Sequence, residues 1–221
     1  MEVPENLSGL ARGLRSIRYD KSGRTGGLPS ISRTFGYQPR ITLRRDFCTS
    51  ASLNQEEPGV YSLIQQAGKI AAGYYEKHSV NVYKEHMALS NKVLPQYRME
   101  AGVPFTSGII NKNNQLRYHF DSGNFKNVWS AMFVFKKDIA GGFLSCPEYD
   151  IGFELKNNSL LLFDGQSILH GVTEFKLMTP SAYRISIVYY SLAGMWKCFT
   201  PDEELARIRK IKTMRETKRA E

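Results

Sequence analysis

His119, Asp121 and His170 are the residues of this chain whose types and spacing could do chemistry. Two imidazoles and one carboxylate form the 2-His-1-carboxylate set, which holds Fe(II) on one face and leaves positions open for a co-substrate and O₂. His119 and Asp121 are two apart, so on a strand they point to the same side. His170 follows the apolar run 159–163 after Asp164-Gly165-Gln166-Ser167-Ile168-Leu169. Gly171, next to it, lets the backbone turn close to a metal. A lone His-x-Asp occurs by chance, so the assignment needs all three residues. The two other histidines, His78 and His86, fall in a helix-patterned segment and read as packed or exposed helical residues.

Arg184 adds to the set. In the run 183–192, Arg184, Ser186, Val188, Tyr190 and Leu192 share one strand face, and Ile185, Ile187 and Tyr189 share the other. An Arg on a barrel-lining face is costly without an anionic partner. The distal carboxylate of 2-oxoglutarate, gripped by a bidentate fork, is such a partner. Taken by itself, the strand reads better as an exposed Arg face over an Ile core; the His-x-Asp and the second His upstream, in the right order, turn the reading to the site.

These residues need a frame. Val60, Leu63, Ile64, Ala67, Ile70, Ala71 and Tyr74 recur at helical spacing, and Val82, His86, Leu89 and Val93 continue on a second helix within 59–94 until Pro95 ends it. From 97 to 193 short apolar or alternating runs appear at 104–110, 116–120, 128–136, 142–144, 151–155, 159–163 and 183–192, separated by Asn-, Gly- and Asp-rich turns. Strands at this spacing predict a sandwich or jelly-roll barrel, buttressed by the helices before it. Thr200-Pro201-Asp202-Glu203 reads as a capping box opening a helix over 200–219. The expected organisation is a loop-rich basic arm over 1–57, a helical buttress with its barrel over 58–199, and a basic terminal helix over 200–221.

The net charge of +9 sits at the ends. Residues 1–50 hold nine Lys or Arg against four Asp or Glu, and 201–221 hold seven against five. Phosphate backbones are the commonest partner of such a footprint, although a solubilising surplus explains it equally well. In the arm, Arg33, Arg40, Arg44 and Arg45 interleave with Phe35 and Tyr37. That mixture suits stacking with phosphate contact, or an arm stapled to its own domain. No apolar run is long enough to span a membrane, and the first residues lack the apolar stretch of a signal peptide. Cys48, Cys146 and Cys198 have no metal-type spacing and read as free thiols of an intracellular, soluble protein.

The runs Phe105 to Asn124, with His-Phe-Asp-Ser-Gly-Asn, and Arg184-Ile-Ser-Ile-Val-Tyr-Tyr190 resemble the catalytic core of TET/JBP-type Fe(II)/2-oxoglutarate dioxygenases. The resemblance covers 97–193, and more loosely Phe35-Gly36-Tyr37. It implies an α+β, mainly β chain with a double-stranded β-helix of the jelly-roll or cupin kind, and Fe(II) and 2-oxoglutarate as cofactors. It implies iron ligation by His119, Asp121 and His170, and 2-oxoglutarate contacts by Arg184 and Ser186. Asn124 and Tyr190 match residues near the target base. The partner it implies is DNA with a methylated base flipped out, with no membrane and no obligate protein partner. The implied reaction oxidises a base 5-methyl group, 5-methylcytosine to 5-hydroxymethylcytosine first among them, in the nucleus of a eukaryote or the cytoplasm of a phage-infected or bacterial cell. Leu192 stands where animal TET enzymes carry a base-contacting His, and their Cys-rich zinc region is absent. Thymine or another methylated base therefore stays an alternative, as does a protein or small-molecule hydroxylase.

Overall fold

The structure is a computed structural model that describes residues 7–18, 20–22, 30–41 and 45–220. The chain opens with α1 (Ser8–Ser16), β1 (Asp20–Ser22), β2 (Ser30–Gln38), β3 (Thr49–Ser50) and α2 (Leu53–Glu56), then α3 (Pro58–His78) and α4 (Val80–Ser90). The barrel strands are β4 (Ser107–Lys112), β5 (Ser130–Lys137), β6 (Ile139–Gly141), β7 (Leu144–Cys146), β8 (Ile151–Phe153), β9 (Ser159–Phe163), β10 (Gly171–Val172), β11 (Phe175–Leu177) and β12 (Tyr183–Tyr190). Helix α5 (Pro201–Ala220) ends the described chain.

The main sheet runs β1-β2-β4-β12-β5-β9, with β3 paired to β2. A small sheet, β10-β7-β8, and the two-stranded sheet β11-β6 complete the barrel. The architecture is the double-stranded β-helix expected from the sequence.

Central strand β12 divides the molecule in two. Ile185, Ile187 and Tyr189 are fully buried and pack with Phe35, Ile110 and Phe133 against the apolar stripe of α3, Ile64, Ala67, Ala71 and Tyr75. Gly68 lets the two layers close. A Cβ there would lie 3.2 Å from the Tyr189 ring, whose hydroxyl donates to the Ile64 carbonyl at 2.8 Å. The opposite face of β12 looks into the barrel, where Met132, Val134, Leu144 and Leu155 form a smaller apolar cluster partly covered by Phe163 and Val188.

Three expectations need correction. The arm is not loop-like throughout: α1 buries Leu10 and Leu14, and β2 is an internal strand of the main sheet. The run 116–120 is not a regular strand: it holds only the isolated bridge at His119, because this segment bridges the His170 segment at a single position. Cys48 and Cys198 are joined in a disulfide across 150 residues of chain, so Cys146 is the free thiol. The capping box is present, with the Glu203 carboxylate accepting from the Thr200 backbone N–H at 2.9 Å and Thr200 Oγ1 accepting from the Glu203 N–H at 3.4 Å. Among the described residues, no helix is long and apolar enough to cross a membrane.

Candidate active site

His119 and His170 face each other across the mouth of the barrel. Their backbones form an isolated antiparallel bridge, His119 N–H to His170 O at 2.9 Å and the reverse at 3.1 Å. That pairing sets the two rings 4.4 Å apart, centroid to centroid. Each Nδ1 lies against a carbonyl two residues back, Arg117 O at 2.7 Å and Ile168 O at 2.8 Å. With Nδ1–H donating to those carbonyls, both Nε2 lone pairs are free, the tautomer a metal ligand needs.

Asp121 is not on a regular strand, as its two-residue spacing from His119 had suggested. It stands at the start of the Ser122–Asn124 turn, and its N–H donates to Gly165 O at 2.9 Å. Gly165 is the residue that admits the carboxylate: a Cβ at that position would lie 2.5 Å from Asp121 Oδ2. Asp121 Oδ1 is 3.5 Å from His119 Nε2, and one donor atom each of His119, Asp121 and His170 lie within 4.8 Å of one another. The pairing with Asp121 raises the His119 pKa, whereas burial lowers that of His170. Two neutral-capable imidazoles and a carboxylate oxygen fit Fe(II) in donor type and number.

A cavity of about 290 Å³ opens beside this cluster. Ser186, Asn111, Met132 and Val188 are among its walls, with Tyr190 and Leu192 at one end. Arg184 lies one pleat further along the β12 face that carries Ser186, beyond the cavity wall itself. It is 2% exposed, and its Nε and Nη2 find no hydrogen-bond partner among the described residues. Burial lowers its pKa to about 10. Gly142 (φ +75°) packs on its stem, where a Cβ would lie 3.4 Å from Arg184 Cδ, and the Asn113 side chain accepts from the Arg184 backbone N–H at 2.8 Å. A buried, unpartnered guanidinium beside a cavity fits a carboxylate-bearing co-substrate.

Asn124 and Tyr190 both line the cavity. The Asn124 amide donates at 3.4 Å to Asp121 Oδ2 and at 3.3 Å to Ser130 Oγ, so its NH₂ end steadies the carboxylate. Burial and the Asp121 charge push the Tyr190 hydroxyl well above its ordinary pKa. Beyond Tyr190 and Leu192 lies a second cavity of about 440 Å³, which shares those residues with the first and is also lined by Gln38, Ile41 and Arg45.

The arm arginines do not form one free cationic surface. Arg33 is 4% exposed and engages Glu56, Ser52 Oγ and the Arg18 carbonyl. Arg40 pairs with Glu204 and lies over the Phe199 ring. Arg45 donates to Gln38 and keeps a buried, unpartnered Nε at the second cavity. Arg44 lies outside the described residues. Sequence reasoning missed Gly165, Gly142, Asn111 and Asn113. Only Asn111 carried a signal, as a polar residue on the same face as Ile109.

A family profile for the oxygenase domain of the 2OGFeDO superfamily, Tet_JBP, matches residues 38–193. The chain belongs to the Tet_JBP family. It therefore carries a 2-oxoglutarate-dependent dioxygenase domain whose cofactors are Fe(II) and 2-oxoglutarate. The chain is 25% identical over 176 residues, 79% of its length, to the bifunctional helicase and thymine dioxygenase JBP2 of Leishmania braziliensis. It is 31% identical over 132 residues, 58% of its length, to JBP2 of Trypanosoma brucei brucei. These stretches span 16% and 12% of those proteins. The Tet_JBP fold is seen again in the solved structure of NgTET1 in complex with 5mC DNA, with a TM-score of 0.66 and 18% identity over 94% of this chain and 77% of that one.

Proposed function

We propose that this chain oxidises the 5-methyl group of a pyrimidine in DNA, 5-methylcytosine first, with Fe(II) held by His119, Asp121 and His170 and 2-oxoglutarate held by Arg184 and Ser186. The observation that carries the reading is the pairing of the three-ligand cluster with a buried, unpartnered Arg184 on the barrel face leading to it. With O₂ as the oxidant, one of its atoms going to succinate and the other to the new hydroxyl, the two cofactors would supply oxidative decarboxylation of the oxo acid to succinate and CO₂ coupled to hydroxylation of a C–H bond.

The residues do the rest. Arg184 fixes the far carboxylate of the co-substrate and so sets where its reactive end lies. The Arg117 and Ile168 carbonyls hold both imidazoles with Nε2 inward. Asn124, which lines the cavity, keeps Asp121 aimed at the cluster through its NH₂, and its amide oxygen is the acceptor available for a pyrimidine N–H. Tyr190, on the wall shared by the two cavities, offers a ring for a flipped base to stack on. Arg45 beside the second cavity and the exposed Arg209, Lys210 and Lys212 of α5 supply phosphate contacts.

Thymine is the second reading, because the curated relatives that match are named thymine dioxygenases. One experiment separates the readings. Duplexes with and without 5-methylcytosine are incubated with the full chain, Fe(II) and 2-oxoglutarate, then digested for nucleoside mass spectrometry. 5-Hydroxymethylcytosine is the expected product. 5-Hydroxymethyluracil from unmethylated DNA would move the assignment to thymine. Succinate release with no oxidised base in either duplex would move it to a protein or small-molecule substrate.

A further inference from the structure

The outer face of the small sheet carries a groove of about 480 Å³ that takes no part in the site described above. Its floor is the paired Ser145 and Gly152 of β7 and β8. A Cβ on Gly152 would meet nothing within 4 Å, so the space above it is open. Two aromatic rings flank it, Tyr118, whose hydroxyl donates to Ser145 Oγ at 3.2 Å, and Phe143. Asp150 and Glu154 line its far side, both exposed, with no hydrogen bond or ion pair to either carboxylate among the described residues.

Three features say what would fill it. Strand β8 pairs with β7 alone, which leaves the other edge of the sheet open. Around it, Tyr118 is 54% exposed and Tyr149 60%, and Ile151 and Phe153 are exposed as well. An open edge ringed by apolar side chains is what a partner strand covers, and natural sheets otherwise blunt such edges with lysines. Residues 138–154 contain no Lys or Arg and four acidic residues, Asp138, Glu148, Asp150 and Glu154, in a chain of net charge +9. That local sign repels DNA and attracts cations.

We infer that this groove docks an extended, basic protein segment. The segment adds as a strand to the free edge of β8. One of its Lys or Arg stems crosses Gly152 between the Tyr118 and Phe143 rings, and its cation meets Asp150 and Glu154. The inference is independent of which base, if any, the barrel oxidises.

The test uses the full chain and fluorescence anisotropy with a labelled decapeptide of alternating arginine and valine. A glutamate–valine peptide and an N-methylated arginine–valine peptide are the controls. Saturable binding of the basic peptide alone is expected. Asp150→Asn with Glu154→Gln, and separately Gly152→Leu, should each weaken it about ten-fold or more, with the thermal midpoint unchanged. No saturable binding at millimolar peptide overturns the inference. So does full affinity in Gly152→Leu or for the N-methylated peptide, which would reduce the contact to charge attraction without a groove or an edge strand. A self-associated species that Gly152→Leu disperses would assign the groove to a second copy of this chain instead.

Discussion

Asp121 can stand beside two imidazoles because residue 165 has no side chain. Gly165→Ala should therefore displace the carboxylate and weaken Fe(II) binding by about 10–100-fold, the usual effect of disturbing the surroundings of a metal ligand, with little change in folding. An anaerobic Fe(II) titration reads the first and circular dichroism the second. Arg184 is the other residue whose position has a cost, because its guanidinium is buried without a partner. If co-substrate binds there as proposed it relieves that cost, so 2-oxoglutarate should raise the thermal midpoint of the wild type, by mass action, and leave that of Arg184→Ala unmoved. Arg184→Lys should recover only part of the shift, since an ammonium cannot reproduce the fork. Histidine, aspartate and arginine were legible in the sequence because their chemistry is written in their type and the chain has only four histidines to choose from. Gly165, Gly142 and Asn113 were not, because they act through the space they leave or the backbone they hold, and the sequence shows neither.

At the scale of elements, the longer strands after residue 97 were legible, and β9 falls on its expected run, 159–163, whereas the short β6, β10 and β11 fall on no expected run. Alternation and turn residues both mark the longer strands. Strand β2 was hidden. Arg33 and Gly36 interrupt its apolar pattern, yet Arg33 is buried by its contacts with Glu56 and the Arg18 carbonyl, and Gly36 (φ +73°) sits where a Cβ would lie 2.6 Å from Thr106 O. Tertiary pairing with β4 makes this segment a strand where local preference does not. Arg33 thus acts as a staple. Arg33→Ala should lower stability by about 0.5–1.5 kcal/mol in urea unfolding, the net worth of a typical hydrogen bond, because Ser52 and Glu56 are exposed and can return to solvent. The salt dependence of DNA binding should not change in that variant, whereas a lost phosphate contact would flatten it by about 0.9 per contact.

Across the whole molecule, the arm and α5 are drawn together by Cys48–Cys198, Arg40–Glu204 and Arg215–Asp46. The disulfide spans 150 residues, far beyond what spacing in a sequence can pair. Cys48→Ser with Cys198→Ser should cost about 2–4 kcal/mol by releasing a constraint on the unfolded chain, measured as a shift in the urea midpoint. The same ties hold the basic helix against Asp46, next to Arg45, which lines the second cavity. All of this organisation surrounds the proposed centre, in which His119, Asp121 and His170 would hold Fe(II) and Arg184 would present 2-oxoglutarate to it. The most direct measurement is anaerobic titration of the full chain with Fe(II) and 2-oxoglutarate, following the visible charge-transfer absorption of a 2-oxo acid chelated to Fe(II). The wild type should develop that band with one iron per chain, and Asp121→Ala and His170→Ala should not, while both variants stay folded. A band of full intensity in either variant would contradict the assignment.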